Sequence, residues 1–338
     1  LKKQAKRALI GFLCASLLLT GCGKKAEEKT ETNDEKSQIT EVDNTSEFYK
    51  NITEGNERPI AVMIDNDNSS AWPQSGLDKA YKVYEIVVEG GATRFMALFK
   101  NSDCEKIGPV RSSRHYFLDY VLENDAVYVH YGWSPKAAND ISALGINKIN
   151  GVLGGDGNIF WRERKYSGDW HSAYTNIEKI KAMAKEKGYR STTDEKITGI
   201  NKEFTEITGD NAVNITLPYS GMYKVYYTYD EKIKAYKRKM NSTEHKSADG
   251  TDYTATNIII QYAKNFPLGD GSPRQDVSTV GNGEGYFITG GKCVPITWQK
   301  TSRQAKTVYK TQDGNEISLN PGTTWINIIS PTTKAVIK

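Results

Sequence analysis

Several patterns that would name a chemistry are missing from this sequence of 338 residues. There is no CxxC pair, no Cys/His spacing suited to zinc and no HExxH, which argues against a structural zinc site, a redox dithiol and a zinc protease. No GxSxG elbow is present, and Gly281-Asn-Gly283-Glu-Gly285 departs from the dinucleotide fingerprint and reads as a turn. No internal repeat of fixed period is visible. Beyond residue 22, no segment approaches the roughly 18 apolar residues of a membrane-spanning helix. Four cysteines shrink to two once Cys14, in an apolar leader, and Cys22, at its end, are set aside; Cys104 and Cys293 read as unpaired, partly buried thiols rather than a bridge. A strong basic excess is lacking too. The formal charge of +4 equals the charge carried by Lys2, Lys3, Lys6 and Arg7, so the rest of the chain is near neutral, which argues against nucleic acid as the main partner.

What is present begins with those cations. They precede the apolar run Ala8 to Leu19, which leads into Leu18-Leu-Thr-Gly-Cys22. That order resembles the lipobox of bacterial lipoproteins, whose cysteine is diacylated and becomes the new N-terminus. It implies a signal peptide over residues 1–22, a lipid on Cys22, and a body held on the outer face of the bacterial cytoplasmic membrane. From Gly23 to Glu57, five lysines face ten acidic residues with little that is apolar, a composition that cannot offset its chain entropy. Residues 23–57 are therefore expected to be a disordered acidic linker.

Structure is expected from Arg58 onward. Ile60–Ile64 reads as a buried strand, and Val83–Val88 with Ala92–Phe99 reads as a hairpin turning through Glu89-Gly90-Gly91. Lys106–Val110 leads into Arg111-Ser112-Ser113-Arg114, where a serine is placed to cap a helix reaching about Leu122. Ala126–Tyr131 returns as a strand, Ser134-Pro135 opens a helix that stops at Gly145, and Thr175-Asn-Ile-Glu178 has the form of a capping box. This mixture predicts an α/β or α+β domain over residues 58–202. Successive strand patterns from Ile215 onward predict a mostly β domain, sandwich or barrel, over residues 203–338.

IGPVRSSR, at residues 107–114, is the sharpest candidate for binding. Exposed amides at a helix start, with the guanidinium groups of Arg111 and Arg114, suit a phosphate or carboxylate; equally, those arginines suit structural pairing with Glu85 or Glu89. Asp65-Asn-Asp-Asn-Ser69 places oxygens at alternate positions, but Ser70 and Gly76 stand where a calcium loop needs glycine and glutamate, so no metal is expected. Asp65, at a strand end, remains a candidate acid, base or ligand. His130 and His171 also lie at element ends, and each is weighed between a structural role and a role in a cleft. Ser134 and Asp169 complete the residue types of a hydrolase triad, yet nothing in the spacing supports one. Tyr223, Tyr226, Tyr227, Tyr229, Trp298 and Trp325 are read as β core in preference to a stacking face.

RPIAVMIDN, PQSGL, VYEIVVEGG through TRFMALF, IGPVRSSR and GWSPKA, followed by FWRERK, the segment His171–Tyr174, GNGEGYFITGGK and NPGTTWI, resemble the YerB-like lipoproteins of Gram-positive bacteria. The likeness runs in consistent order from Arg58 to Ile329. It implies a lipid-anchored protein of two domains and supplies no catalytic residue; Ser172 departs from the pattern, which more often has asparagine there. TRFMALF, IGPVRSSR and KINGVLGG are also similar in order to elements of the LytR-CpsA-Psr envelope phosphotransferases, although Arg94 occupies the place of an acidic metal-binding residue. That likeness implies an anion pocket of Arg94, Arg111 and Arg114.

The expectation is a protein that binds a component of the cell envelope, an anionic ligand or an envelope protein, without a cofactor, through a polar cleft lined by Asp65, Arg94, Arg111, Arg114, His130 and His171. A transferase or hydrolase acting on an anionic wall precursor, and a module that docks an envelope protein through its β domain, are the alternatives.

Overall fold

A computed structural model describes residues 47–338, apart from the side chains of Asn68 and Ser69. The leader, Cys22 and most of the acidic linker lie outside the described residues. The linker reading fails at its C-terminal end: residues 47–53 form helix α1, Ile52 is buried, and Lys100 Nζ donates to the carbonyls of Ile52 (2.7 Å) and Glu54 (3.1 Å). Ile52, with Phe48 packed partly buried beside the same core, and the lysine that follows β3 dock this helix.

The first half is mixed α/β and the second is dominated by strands. Strands β1 (Ile60–Asn66), β2 (Lys82–Val87), β3 (Thr93–Phe99), β4 (Val127–His130) and β5 (Lys148–Asn150) form one end of an eleven-stranded sheet, in the spatial order β2-β3-β1-β4-β5. β1, β2 and β3 pair antiparallel through β3, whereas β1, β4 and β5 run parallel. The predicted β2–β3 hairpin is present, with Gly90 and Gly91 taking the positive φ that its turn requires. Beyond β2, strand Thr324–Ile329 runs parallel both to β2 and to Asn257–Tyr262, and the sheet continues through Gly281–Thr289, Lys292–Lys300 and Val308–Thr311. The two halves of the chain therefore share one sheet.

Both faces of that sheet are covered, which explains why its central strands are apolar on both sides. Helices α3 (Leu118–Glu123) and α4 (Pro135–Ala143) cover the face of Ala61, Met63 and Met96. They follow α2, the single turn Asn68–Ala71. Helix α5 (Ile177–Glu186) and a six-stranded second-half sheet cover the face of Val62, Ile64 and Phe95. The alternation of Lys224–Asp230 and Ala235–Met240 buries Val225, Tyr227, Tyr236 and Met240 against this face.

Several local expectations change. Ser134 caps α4 as read, accepting from Ala137 N at 3.3 Å. Thr175 does not cap α5: Asn176 does, accepting from Lys179 N at 2.9 Å, while Thr175 is buried and donates to Ile159 O. No serine caps a helix at Arg111–Arg114; a 3-10 turn, His115–Phe117, precedes α3, and Ser113 is buried where it accepts from the Tyr128 hydroxyl at 2.8 Å. Gly281–Gly285 is strand, not turn, and a Cβ at Gly285 would lie 2.0 Å from the Ile260 carbonyl oxygen. Trp298, Trp325, Tyr223 and Tyr227 are buried, with Tyr226 and Tyr229 half-buried, so these aromatics build core rather than a stacking face. Cys104 and Cys293 are free, buried thiols, with burial raising them to about 11 and about 12.

Between the layers lies a closed ring of hydrogen bonds. Arg238 donates to Glu85 Oε2 at 2.6 Å and to His245 Nδ1; His245 Nε2 donates to Gln74 Oε1 at 3.0 Å; Gln74 donates to Asn66 Oδ1 at 2.9 Å. Asn66 donates to Thr93 Oγ1 at 2.7 Å, and Thr93 returns to Glu85 Oε1 at 2.7 Å. All six side chains are buried, and the Arg238 guanidinium also faces the rings of Trp325 and Phe95, 4.7 and 5.2 Å from their centroids. Removing one charge strands the other in a dry interior, whereas replacing both does not. Arg238→Met is therefore expected to cost about 3–5 kcal/mol in urea unfolding, and Glu85→Leu combined with Arg238→Met to recover most of that loss. Additive losses in the double variant would contradict this account.

Candidate functional site

Asp65 is the last but one residue of β1, and its side chain is fully buried. A buried carboxylate persists as an anion only when cations or donors replace its water. Here His171 Nδ1 meets Asp65 Oδ2 at 2.6 Å, and Arg111 Nε lies 2.9 Å from the same oxygen as an ion pair. Arg94, opposite Asp65 in the β1–β3 register, adds a second guanidinium charge. Burial alone would raise the Asp65 carboxyl; the His171 hydrogen bond and the two arginines outweigh it and hold the group below its ordinary value. His171 is raised in turn, chiefly by its bond to Asp65 and against its own burial.

Backbone pairing explains why these residues meet. Residues 107–111 thread between the end of β1 and the short strand β7 (Ala173–Tyr174), which pairs with β6 (Trp161–Arg162). Asp65 N donates to Pro109 O (2.8 Å), Val110 N to Ala173 O (2.6 Å), Arg111 N to Met63 O (2.9 Å). Gly108 is obligatory in that passage: its φ is +146°, and a Cβ would stand 2.7 Å from the Ala173 carbonyl oxygen. The loop that presents His171 folds on Asp169, which accepts from the backbone amides of Lys165 (3.0 Å) and His171 (2.8 Å).

The arginines divide by role. Arg114 makes a two-point pair with Glu89, Nε to Oε1 at 2.6 Å and Nη2 to Oε2 at 2.8 Å, so at this residue the structural pairing is the one realised. Arg94 is buried; Nη1 donates to Ser112 O at 2.6 Å, but Nε has no acceptor. Burial, then the charge of Arg114, lowers Arg94 to about 10. Arg111 is 26 % exposed, and among the described residues its guanidinium has no protein partner beyond Asp65. Three arginines thus face two carboxylates, a net positive charge that grows when His171 is protonated.

His130 does not join this group. It is buried in β4, where Nδ1 donates to Gly132 O at 2.7 Å, Nε2 is unpartnered, and burial lowers it to about 4. The strand end turns it toward its own following loop rather than toward Asp65. Among the described residues no three His, Cys, Asp or Glu side chains converge as metal ligands.

Opposite pH signatures follow for the two histidines. His171, raised in the fold, stabilises fully below its ordinary 6.5 and loses that contribution as pH rises through its folded value; Asp65, lowered, loses its contribution as pH falls through its own. His130 acts in the other direction, since the unfolded chain takes its proton first. As pH falls from 6.5 to about 4, it removes about 3 kcal/mol of stability. Imidazole NMR titration should place His171 above 6.5 and His130 near 4. Asp65→Asn should move only His171, downward. His130→Asn, which keeps a donor for Gly132 O, should flatten stability across that acid window; an unchanged acid slope would contradict the assignment.

Comparison with known proteins agrees with the likeness carried by the sequence motifs. Residues 44–190 match the family model described as protein of unknown function (DUF3048) N-terminal domain, and residues 215–326 match its C-terminal domain. The chain is 32 % identical over 285 residues to "Putative lipoprotein YerB" of Bacillus subtilis (strain 168), covering 80 % of this chain and 81 % of that protein. The crystal structure of the YerB protein from Bacillus subtilis superposes with a TM-score of 0.73 at 30 % identity, over 83 % of this chain and 94 % of the other. With both family models matched in order and a relative of the same fold aligned over four-fifths of each chain, this chain belongs to the YerB-like DUF3048 family.

Proposed function

We propose that this protein is a lipoprotein held through Cys22 on the outer face of the cytoplasmic membrane, where it binds an anionic envelope component at Asp65, Arg94, Arg111 and His171. The observation that carries this reading is the surplus of guanidinium over carboxylate. Arg94 Nε is buried without an acceptor, and Arg111 turns an unpartnered edge toward solvent. A protein gains nothing in stability from an unsatisfied buried donor, and an anionic oxygen would satisfy it. Apolar residues stand near these cations. Trp170, 72 % exposed, precedes His171, and exposed Val152 lies beside Gly132, which also adjoins Ser112. Cationic donors beside exposed apolar side chains suit an amphipathic anion such as a lipid-linked phosphate.

A second reading rests on the Asp65–His171 contact. Asp65 fixes His171 through Nδ1, which leaves Nε2 to serve as a general acid in phosphoryl or glycosyl transfer from a wall precursor. Turnover abolished by His171→Gln with anion binding retained would select this reading over simple binding.

Dodecyl phosphate, compared with dodecanol and inorganic phosphate, is a suitable probe in titration calorimetry. It should bind saturably and more tightly than either, and Arg111→Ala should weaken it at least tenfold at a temperature where circular dichroism shows the variant still folded, with His171 and Arg94 left to hold Asp65. Equal binding by Arg111→Ala, or none by the wild type, would end the proposal. For the address, Cys22→Ser should abolish palmitate labelling and release the protein from membranes.

A further inference from the structure

A cleft of about 320 Å³ opens on the α3 face where the two halves of the chain meet. Its floor is Tyr84, Ile259 and Ile326, from three adjacent strands of the shared sheet. Its walls are the end of α3 and the second-half segments 193–199, 306–309 and 316–319. Ligand clefts favour such junctions, with an apolar floor and a few convergent polar groups. Lysine predominates here: Lys82, Lys100, Lys196 and Lys306 line the cleft against Glu123, Glu195 and Glu316.

The charges are not equivalent. Lys306 is answered by Glu195 at 2.7 Å on the rim. Glu123 is fully engaged, accepting from the Tyr84 hydroxyl (2.6 Å), the buried Lys300 ammonium (2.7 Å), and both Thr307 N (3.1 Å) and Oγ1 (2.7 Å). Lys82 has no such answer. Its ammonium donates only to the neutral Asn124 Oδ1 at 3.2 Å and lies 5.8 Å from the ring centroids of Tyr81 and Tyr84, and among the described residues no carboxylate is within ion-pair distance. Beside it, the buried Tyr81 hydroxyl has no hydrogen-bond partner. Burial depresses the Lys82 pKa, with the Glu123 charge opposing, as expected of a cation that lacks a counterion.

We infer that this cleft is a binding site for a small monocarboxylate with an apolar body, its carboxylate meeting the Lys82 ammonium and the Tyr81 hydroxyl while its body lies on Tyr84, Ile259 and Ile326. Lys100, also without a carboxylate, has its ammonium taken up by the Ile52 and Glu54 carbonyls, so Lys82 with the Tyr81 hydroxyl is the pair left to meet a ligand, and one ammonium beside one hydroxyl suits the two oxygens of a carboxylate. The aromatic and isoleucine floor calls for hydrocarbon rather than a sugar. These residues are distinct from Asp65, Arg94, Arg111 and His171, so this site stands or falls independently of the function proposed above.

The test uses the intact chain in buffer free of carboxylates, with hexanoate, octanoate and benzoate as probes and hexanol and inorganic phosphate as controls. At least one carboxylate should bind saturably in calorimetry while hexanol and phosphate do not. Lys82→Met should weaken it at least tenfold and Tyr81→Phe severalfold, whereas Arg111→Ala should leave it unchanged. Without probe, Lys82→Met should melt no lower than wild type, because it removes an ammonium that lacks a counterion. A lower melting point for Lys82→Met would assign this lysine to the fold and overturn the inference. So would wild-type binding of no carboxylate, or carboxylate binding indifferent to both cleft variants.

Discussion

The closed ring through Glu85, Arg238, His245, Gln74, Asn66 and Thr93 is the constraint on which the rest of this molecule depends. Four of its members come from the first half and two from the second, so it forms only when the six-stranded sheet sits in register on the larger one. Apolar contact alone would permit a sliding fit between these layers. A buried ion pair with its hydrogen bonds complete does not, because any shift leaves a charge or an amide unsatisfied in a dry interior. The shared strand Thr324–Ile329 adds a second lock, since its edges pair with both halves. The rings of Trp325 and Phe95, packed edge to face at 88°, keep water from the guanidinium and make the pairing costly to break.

The same ring holds the candidate site from behind. Asn66 and Asp65 are consecutive residues of β1 and so point to opposite faces; Asn66 joins the ring, whereas Asp65 receives Arg111 and His171. Gln74 ties the two together, donating to the Asn66 side chain and, at 3.0 Å, to the Asp65 carbonyl. The strand end that presents Asp65 is thereby fixed by interactions made on the far side of the sheet. Asp65 can then hold His171 in one orientation without relying on the exposed loop 163–172 for rigidity, which is how a functional side chain is best supported.

Legibility in the sequence tracks the range of the interaction. The β2–β3 hairpin and the start of α4 could be read because their determinants are local: alternating apolar residues around Gly90-Gly91, and Ser134 beside Pro135. Asp65, Arg94, Arg111 and His171 could be nominated one by one from residue type and position. Their convergence could not be read, since it depends on residues 107–111 being threaded beside β7 by backbone bonds. His130 has the same sequence credentials as His171, yet a carbonyl two residues onward claims it. Gly281–Gly285 looked like a turn because glycine commonly marks one, when the requirement is lack of room against Ile260 and Trp298. The ring left the faintest trace of all. Its one local signal is Arg238, a charge at an inward position of an otherwise alternating strand.

Two buried guanidiniums, Arg238 and Arg94, and the half-buried Lys82 ammonium allow stability and function to be separated on physical grounds. Arg238 is compensated: its charge meets Glu85 and its donors find acceptors, so the fold accounts for it completely. Arg94 and Lys82 are not. Each gives up hydration for incomplete protein contacts, Arg94 with an idle Nε and Lys82 with only a neutral amide oxygen. An incompletely paired cation costs free energy that a methionine or leucine of similar volume would not, so packing offers no reason for either residue type. The deficit is removed when an external anion supplies what the protein withholds. By that criterion these two incompletely paired cations mark where this protein meets other molecules, on one face of the β1–β3–β2 strands and toward opposite ends of β3, and the compensated one marks what keeps those strands in place.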